Sequence, residues 1–266
     1  ADIVARLPQA TEKTRQILIE LVGKRRIEPA LPALVACAGD ADAGIRAAAV
    51  AALGAIGGEK QVPDLVKILQ KTQDPGERTG LEKALTAAAA RGGAACTPVV
   101  TPLAQSEDSA LRVIALHVLA GCGGPAALAA VKSALNDKDE TVADESVRTL
   151  SNWPNRWPED AGVTEPLLTL ARSGKKPAHQ ILALRGYLQH LQGNPKLKED
   201  ERLAKVNEVL PLAARPEEKR LAISVLGVWL IKAQGVAVYR KGRTDMAAGK
   251  VPGRSMVDGL LIFSAG

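Results

Sequence analysis

One short pattern recurs along this chain: an aspartate, an arginine four residues later, then a stretch rich in alanine and leucine. It appears as Asp42 and Arg46, as Asp74 and Arg78, and as Asp108 and Arg112. A further copy keeps Asp139 but carries Ala143 at the arginine position, and an earlier one uses Thr11 and Arg15. Two later copies retain only the apolar stretch, at 181–188 and 219–226. The steps between the arginine-equivalent positions 15, 46, 78, 112, 143, 181 and 219 are 31, 32, 34, 31, 38 and 38 residues. A period in this range marks an array of supersecondary units, none of which can bury its apolar face without its neighbours.

The physics of the unit is readable. Asp or Thr at the head of a helix accepts from its first free backbone N–H groups. The arginine one turn on pairs either with that aspartate or with a neighbouring repeat. Apolar residues then follow at helical spacing, as in Ile45, Ala49, Ala52, Leu53 and Ile56, and again in Leu111, Ala115, Val118, Leu119 and Cys122. Gly57-Gly58, Gly92-Gly93 and Gly121–Gly124 end these helices. A second apolar helix follows each turn, predicted at 30–38, 62–71, 98–105, 125–135, 163–172 and 200–214, several with proline near the start. Residues 10–234 therefore read as stacked helix–turn–helix units.

Composition agrees. Aromatics are 2% of the chain, too few to wall a conventional enzyme pocket, while 46% of residues are hydrophobic and small types dominate. Three cysteines with no CxxC exclude a disulfide framework and a zinc site. No apolar run is long enough to span a membrane. The net charge is +6, but residues 236–266 hold five basic and two acidic residues, hence +3 of it. The remaining +3, spread over 235 residues, is a weak electrostatic footprint for nucleic acid.

The period, and Asp40–Gly57 above all, resembles HEAT repeats of the short kind found in phycobilisome-lyase-type bacterial proteins. The strings at 150–154, 183–187 and 215–221 are similar to HEAT segments attached to keto-disaccharide-hydrolase-like envelope proteins. These resemblances imply an all-α, right-handed α-solenoid of six to seven helix pairs, of HEAT/armadillo-like type. They also imply that second helices line its concave side, and they point to the cell envelope or periplasm, while the residues themselves leave the compartment open, the cytoplasm included. The chain starts at Ala1 rather than Met, so it is read as one segment of a longer protein.

Residues 235–266 break the pattern: six glycines in 32 residues and no helical period. The expected division is a repeat solenoid at 1–234 and a Gly-rich basic tail at 235–266. Three readings of that tail stand: a disordered tail, the truncated start of another domain, or foreign sequence.

No catalytic, cofactor-binding or metal-binding set is expected. His117, His179 and His190 are scattered, and Gly174-Lys175 does not complete a phosphate loop. Cys37 and Cys122 fall on apolar stripes as core residues; Cys96 opens a second helix, where its role stays open. Trp153 also falls on the core stripe. Lys60, Lys67, Lys71, Lys132 and Arg172 come from successive second helices or their edges and are the candidate partner-binding residues. Trp157, in a Trp-Pro turn, and Trp229, beyond the seventh first helix, join them as candidate anchors. The expected function is non-catalytic protein binding. The two alternatives are a nucleic-acid-binding HEAT protein of DNA-glycosylase type and phycobilin-lyase-like chromophore handling.

Overall fold

A computed structural model describes residues 2–225. Among these residues there is no strand. The helices are α1 (Asp2–Arg6), α2 (Glu12–Arg25), α3 (Leu31–Cys37), α4 (Ala43–Ile56), α5 (Val62–Lys71), α6 (Pro75–Gly92) and α7 (Thr97–Val100). They continue with α8 (Ser109–Cys122), α9 (Gly124–Ser133), α10 (Glu140–Arg156), α11 (Thr164–Ser173), α12 (Pro177–Gly193) and α13 (Glu199–Val209). Residues 216–225 are again helical. The chain divides between His190 and Leu191, in the last turn of α12. The predicted boundary at 234 and Trp229 lie outside the described residues.

In the first part, α2/α3, α4/α5, α6/α7, α8/α9 and α10/α11 are successive helix pairs of an all-α solenoid, and α12 opens a sixth. The first helices start where the sequence places a cap. Asp42 Oδ1 accepts from Ile45 N at 2.8 Å, Asp74 Oδ1 from Glu77 N at 2.8 Å, and Asp108 and Asp139 from Ala110 N and Thr141 N at 2.9 Å. Thr11 differs: it occupies the cap position of α2 without a capping bond, its hydroxyl donating instead to Thr14 Oγ1. The helix expected at 98–105 is also divided, into α7 and a 3-10 turn at Thr101–Gln105. Pro102 removes the N–H that would have bonded the Pro98 carbonyl.

The first helices pack side by side in chain order, α2 on α4, α4 on α6, α6 on α8 and α8 on α10. Their backbones approach closely over small residues. A Cβ on Gly23 would lie 3.1 Å from Ala52 Cβ, one on Gly54 2.8 Å from Ala84 Cα, and one on Gly186 2.9 Å from Ser151 Cα. Close approach leaves little space between layers, so Leu, Val and Ile suffice to fill it and few aromatics are needed. Second helices pack mainly on first helices: α3 on α4, α5 on α6, α9 on α8 and α10. In the second part, Val206, Val209, Ala213, Ala222 and Val225 are buried.

Gly80 shares the α4–α6 interface with Gly54, yet a Cβ there meets nothing within 4 Å. Gly80→Ala should raise stability by about 1 kcal/mol through helix propensity alone. Gly54→Ala should lower it by about 1.5 kcal/mol, because overpacking exceeds the same propensity gain. Urea midpoints of the two variants check this; shifts of the same sign would rule out the close-packing account.

Candidate partner-binding surfaces

The repeated arginines join each repeat to the next, settling the choice the spacing left open. Arg15 Nη1 is 3.0 Å from Asp40 Oδ2, Arg46 pairs with Glu77, Arg78 Nη1 is 2.7 Å from Asp108 Oδ2, and Arg112 Nη2 is 2.9 Å from Asp137 Oδ1. Arg46, Arg78 and Arg112 also donate to carbonyls of the loop before their own helix: Asp40 and Ala41, Thr72, and Ser106 and Glu107. Burial raises the Asp108 carboxyl's pKa, but hydrogen bonds from Arg78 and the Ala110 backbone hold it below the ordinary aspartate value. Where Ala143 replaces the arginine, Lys176 of the next repeat reaches Glu140 and Asp144 at 2.6 and 2.7 Å, and His179 reaches Asp144 at 3.0 Å. Asp40 and Asp137 were not singled out from sequence. Their signal is an aspartate two residues before a cap, where each also accepts the cap's own N–H.

His117 is a second tie between first helices. Its Nδ1 is 2.5 Å from Glu82 Oε1 on α6 and its Nε2 is 3.0 Å from Glu145 Oε1 on α10. Burial alone lowers its pKa, but the two carboxylates outweigh burial and leave it raised above the ordinary histidine value. A raised folded-state pKa contributes stability that is complete below about pH 6.5, the unfolded value, and is lost as pH rises through the folded value. The wild type should therefore lose more melting temperature between slightly acid and slightly alkaline pH than His117→Gln does. Equal losses would remove this role.

The second-helix candidates stand apart from these ties. Lys60, Lys67, Lys71, Lys132 and Arg172 are all exposed. Lys67 lies 3.9 Å from Asp64 on its own helix; Lys60, Lys71 and Lys132 form no ion pair among the described residues. Trp157 has an internal place instead of an exposed one. Its half-buried ring packs on Gly123, whose φ of 68° and missing Cβ both make room for it, and its Nε1 donates to Ala120 O at 2.9 Å. Arg156 sits 5.9 Å over the same ring. All three cysteines are free and buried, Cys96 included, and burial pushes the Cys122 thiol to about 11, far from a thiolate at neutral pH.

A groove of about 790 Å³ opens between α4 and α6, over Ala47, Val50, Ala51, Gly80 and Ala84. Most of its lining comes from α4 and α6, with Ala38, Ile68 and Thr72 of the second-helix layer at its edge, and none of the second-helix lysines lines it. Its polar rim is Arg46, Asp74, Glu77 and Lys83, and Arg46 and Glu77 are already paired. No group of metal-ligating side chains occurs among the described residues. No helix among them is long and apolar enough to cross a membrane.

Residues 1–86 match the HEAT repeats family, and residues 220–266 match the family of the FxsA cytoplasmic membrane protein. No curated protein matches the chain. Among solved structures, it is similar to the archaeal HEAT-like repeats protein from Thermococcus onnurineus NA1, at 14% identity over 84% of this chain and 97% of that one, with a TM-score of 0.46. It is similar to a chain of the CpcE–CpcF complex of phycocyanin lyase from Nostoc sp. PCC7120, at 17% identity, 85% and 92% coverage and a TM-score of 0.43. It is also similar to an engineered protein, at 19% identity, 90% and 72% coverage and a TM-score of 0.44. These TM-scores are too low to carry any argument about this chain. Over residues 1–86 the repeats match the HEAT family, as the sequence pattern indicates; the further resemblance to keto-disaccharide-hydrolase-like envelope proteins finds no support in these matches.

Proposed function

We propose that this chain is a non-catalytic protein-binding scaffold, a segment of a larger bacterial protein, which presents its second-helix surface to a protein partner. The observation that carries this is the uneven use of charge. The repeat-position cations Arg15, Arg46, Arg78, Arg112 and Lys176 are committed to inter-repeat pairs, whereas Lys60, Lys71 and Lys132 of the second helices or their edges stand exposed without an ion pair among the described residues. A surface held in place by stacked helices loses little conformational freedom on binding, so modest contacts over several repeats can add up. A solenoid of 1–234 and a separate module at 235–266 belong to the same proposal; the FxsA-family match over 220–266 supports a change of kind near that point.

The test is affinity capture with the full chain from nuclease-treated bacterial extracts, beside a variant carrying Lys67→Glu, Lys71→Glu and Lys132→Glu. A captured protein is then purified and titrated against both. Saturable binding to the wild type, weakened about tenfold or more in the variant, supports the reading. Binding that is indifferent to the three charges would move the surface elsewhere.

A further inference from the structure

Five cations gather on the edge of the first part where first helices turn into second helices. Lys24 and Arg25 close α2, Arg26 follows it, Lys60 lies in the 3-10 turn after α4, and Arg91 is in the last turn of α6. All five are exposed. The edge is continuous across three repeats. Gly23 packs on Ala52, Arg91 donates to the carbonyls of Gly57 and Gly54 at 2.6 Å each, and a Cβ on Gly92 would lie 3.0 Å from Glu59 Cβ. The same turns contain two acidic residues, Glu28 and Glu59, so five cations less two leaves +3. None of the five cations forms an ion pair among the described residues, in contrast to the repeated arginines at the other end of the same helices.

Helix ends explain only part of this collection. Cations near a helix C-terminus complement its dipole, which accounts for Lys24, Arg25 and Arg91, whereas Arg26 and Lys60 lie outside the helices. Arg26 is also strained. Its φ of 51° and ψ of 50° are left-handed, and it is the only non-glycine residue with positive φ among those described. Glycine or asparagine is the usual occupant of such a position. Burial and then repulsion from Arg26 lower the pKa of Arg91, and neither arginine is paired with a carboxylate among the described residues. An arginine held at a conformational cost, beside another cation and without an anion, is the kind of local strain that collects at binding sites.

We propose that this edge binds an extended acidic peptide segment, one acidic side chain to each repeat. First helices stacked in this way are about 8–10 Å apart, and a chain in the extended polyproline II conformation advances about 3.1 Å per residue with three residues per turn. An acidic residue at every third position therefore stays on one face and meets successive turns. The three turns hold no aromatic side chain on which bases could stack. They expose no large apolar side chain to insert into a lipid surface. The proposal deepens the scaffold reading by naming a second surface and the chemistry of what it takes, and its surface is independent of the second-helix lysines Lys67 and Lys132.

The experiment is fluorescence anisotropy with the full chain and a labelled peptide repeating Glu-Gly-Ser. Saturable, salt-sensitive binding is expected, weakened about tenfold or more by Arg25→Glu with Arg26→Glu, and unchanged by Lys67→Glu with Lys132→Glu. Arg26→Gly guards against mere misfolding: it should weaken binding while raising the melting temperature. Absence of binding, or equal loss in the two charge variants, overturns the proposal. So does tighter binding of an oligothymidylate of matched length, or of phosphatidylserine vesicles, through the same arginines. Loss of the captured protein partner with the peptide site intact would count against the second-helix reading alone.

Discussion

Replacing Trp153 with alanine should cost the fold about 4 kcal/mol. The indole is 1% exposed and, with Tyr187, is among the largest fully buried side chains in a core that otherwise rests mainly on aliphatic residues. Its Nε1 donates to Asp160 Oδ2 at 3.0 Å, and Asp160 Oδ1 in turn accepts from Gly162 N, opening the turn into α11. Truncation therefore empties an indole-sized volume and frees the group that organises the next turn. The cavity cannot collapse easily, because α10 is held on one side against α8 and at Ser151 against Gly186. Trp153→Phe keeps most of the volume and loses the hydrogen bond, for a cost of about 1–2 kcal/mol. Chemical denaturation of both variants measures the difference. Similar costs would mean that the hydrogen bond, and not the packing, is what matters there.

Arg112→Ala should cost about 3 kcal/mol. Arg112 is 4% exposed and donates to both oxygens of Asp137, at 3.0 and 2.9 Å, and to the carbonyls of Ser106 and Glu107. Removing it leaves a carboxylate only 12% exposed without its cation. Because solenoid stability is a sum of repeats and their nearest-neighbour interfaces, the damage should be local, loosening the fourth repeat from the fifth. Asp137→Ala on the Arg112→Ala background should add less than it does alone, since the pair is already broken. Strict additivity in that double-mutant cycle would show that the two residues do not act together.

What the sequence made legible was what repeats. Asp42, Asp74, Asp108 and Asp139 cap because a cap acts within three residues, and the period places each at a helix start. The buried stripe through Ile45, Ala49 and Leu53 follows from helical spacing alone. What depends on the register between neighbouring helices was not legible. The arginine's spacing fits its own aspartate as well as the next repeat's, and only packing selects the latter. Glu82, His117 and Glu145 are 35 and 28 residues apart and occupy different positions within their repeats, so no single period brings them together. Trp157, expected as an anchor because it stands in a turn, is used by the fold because Gly123 of the preceding repeat leaves room for its ring. The left-handed Arg26 has no sequence signal: its residue type is a poor occupant of its conformation, which is why it marks a site.

In this scaffold reading the repeats present a preformed second-helix surface and do not rearrange to bind. Hydrogen exchange of the full chain, with and without the captured protein partner, tests it most directly. Rigid display requires added protection confined to α5, α9 and α11 and the turns beside them, with the first helices unchanged. Protection gained throughout the first helices, or none on the second helices, would contradict it.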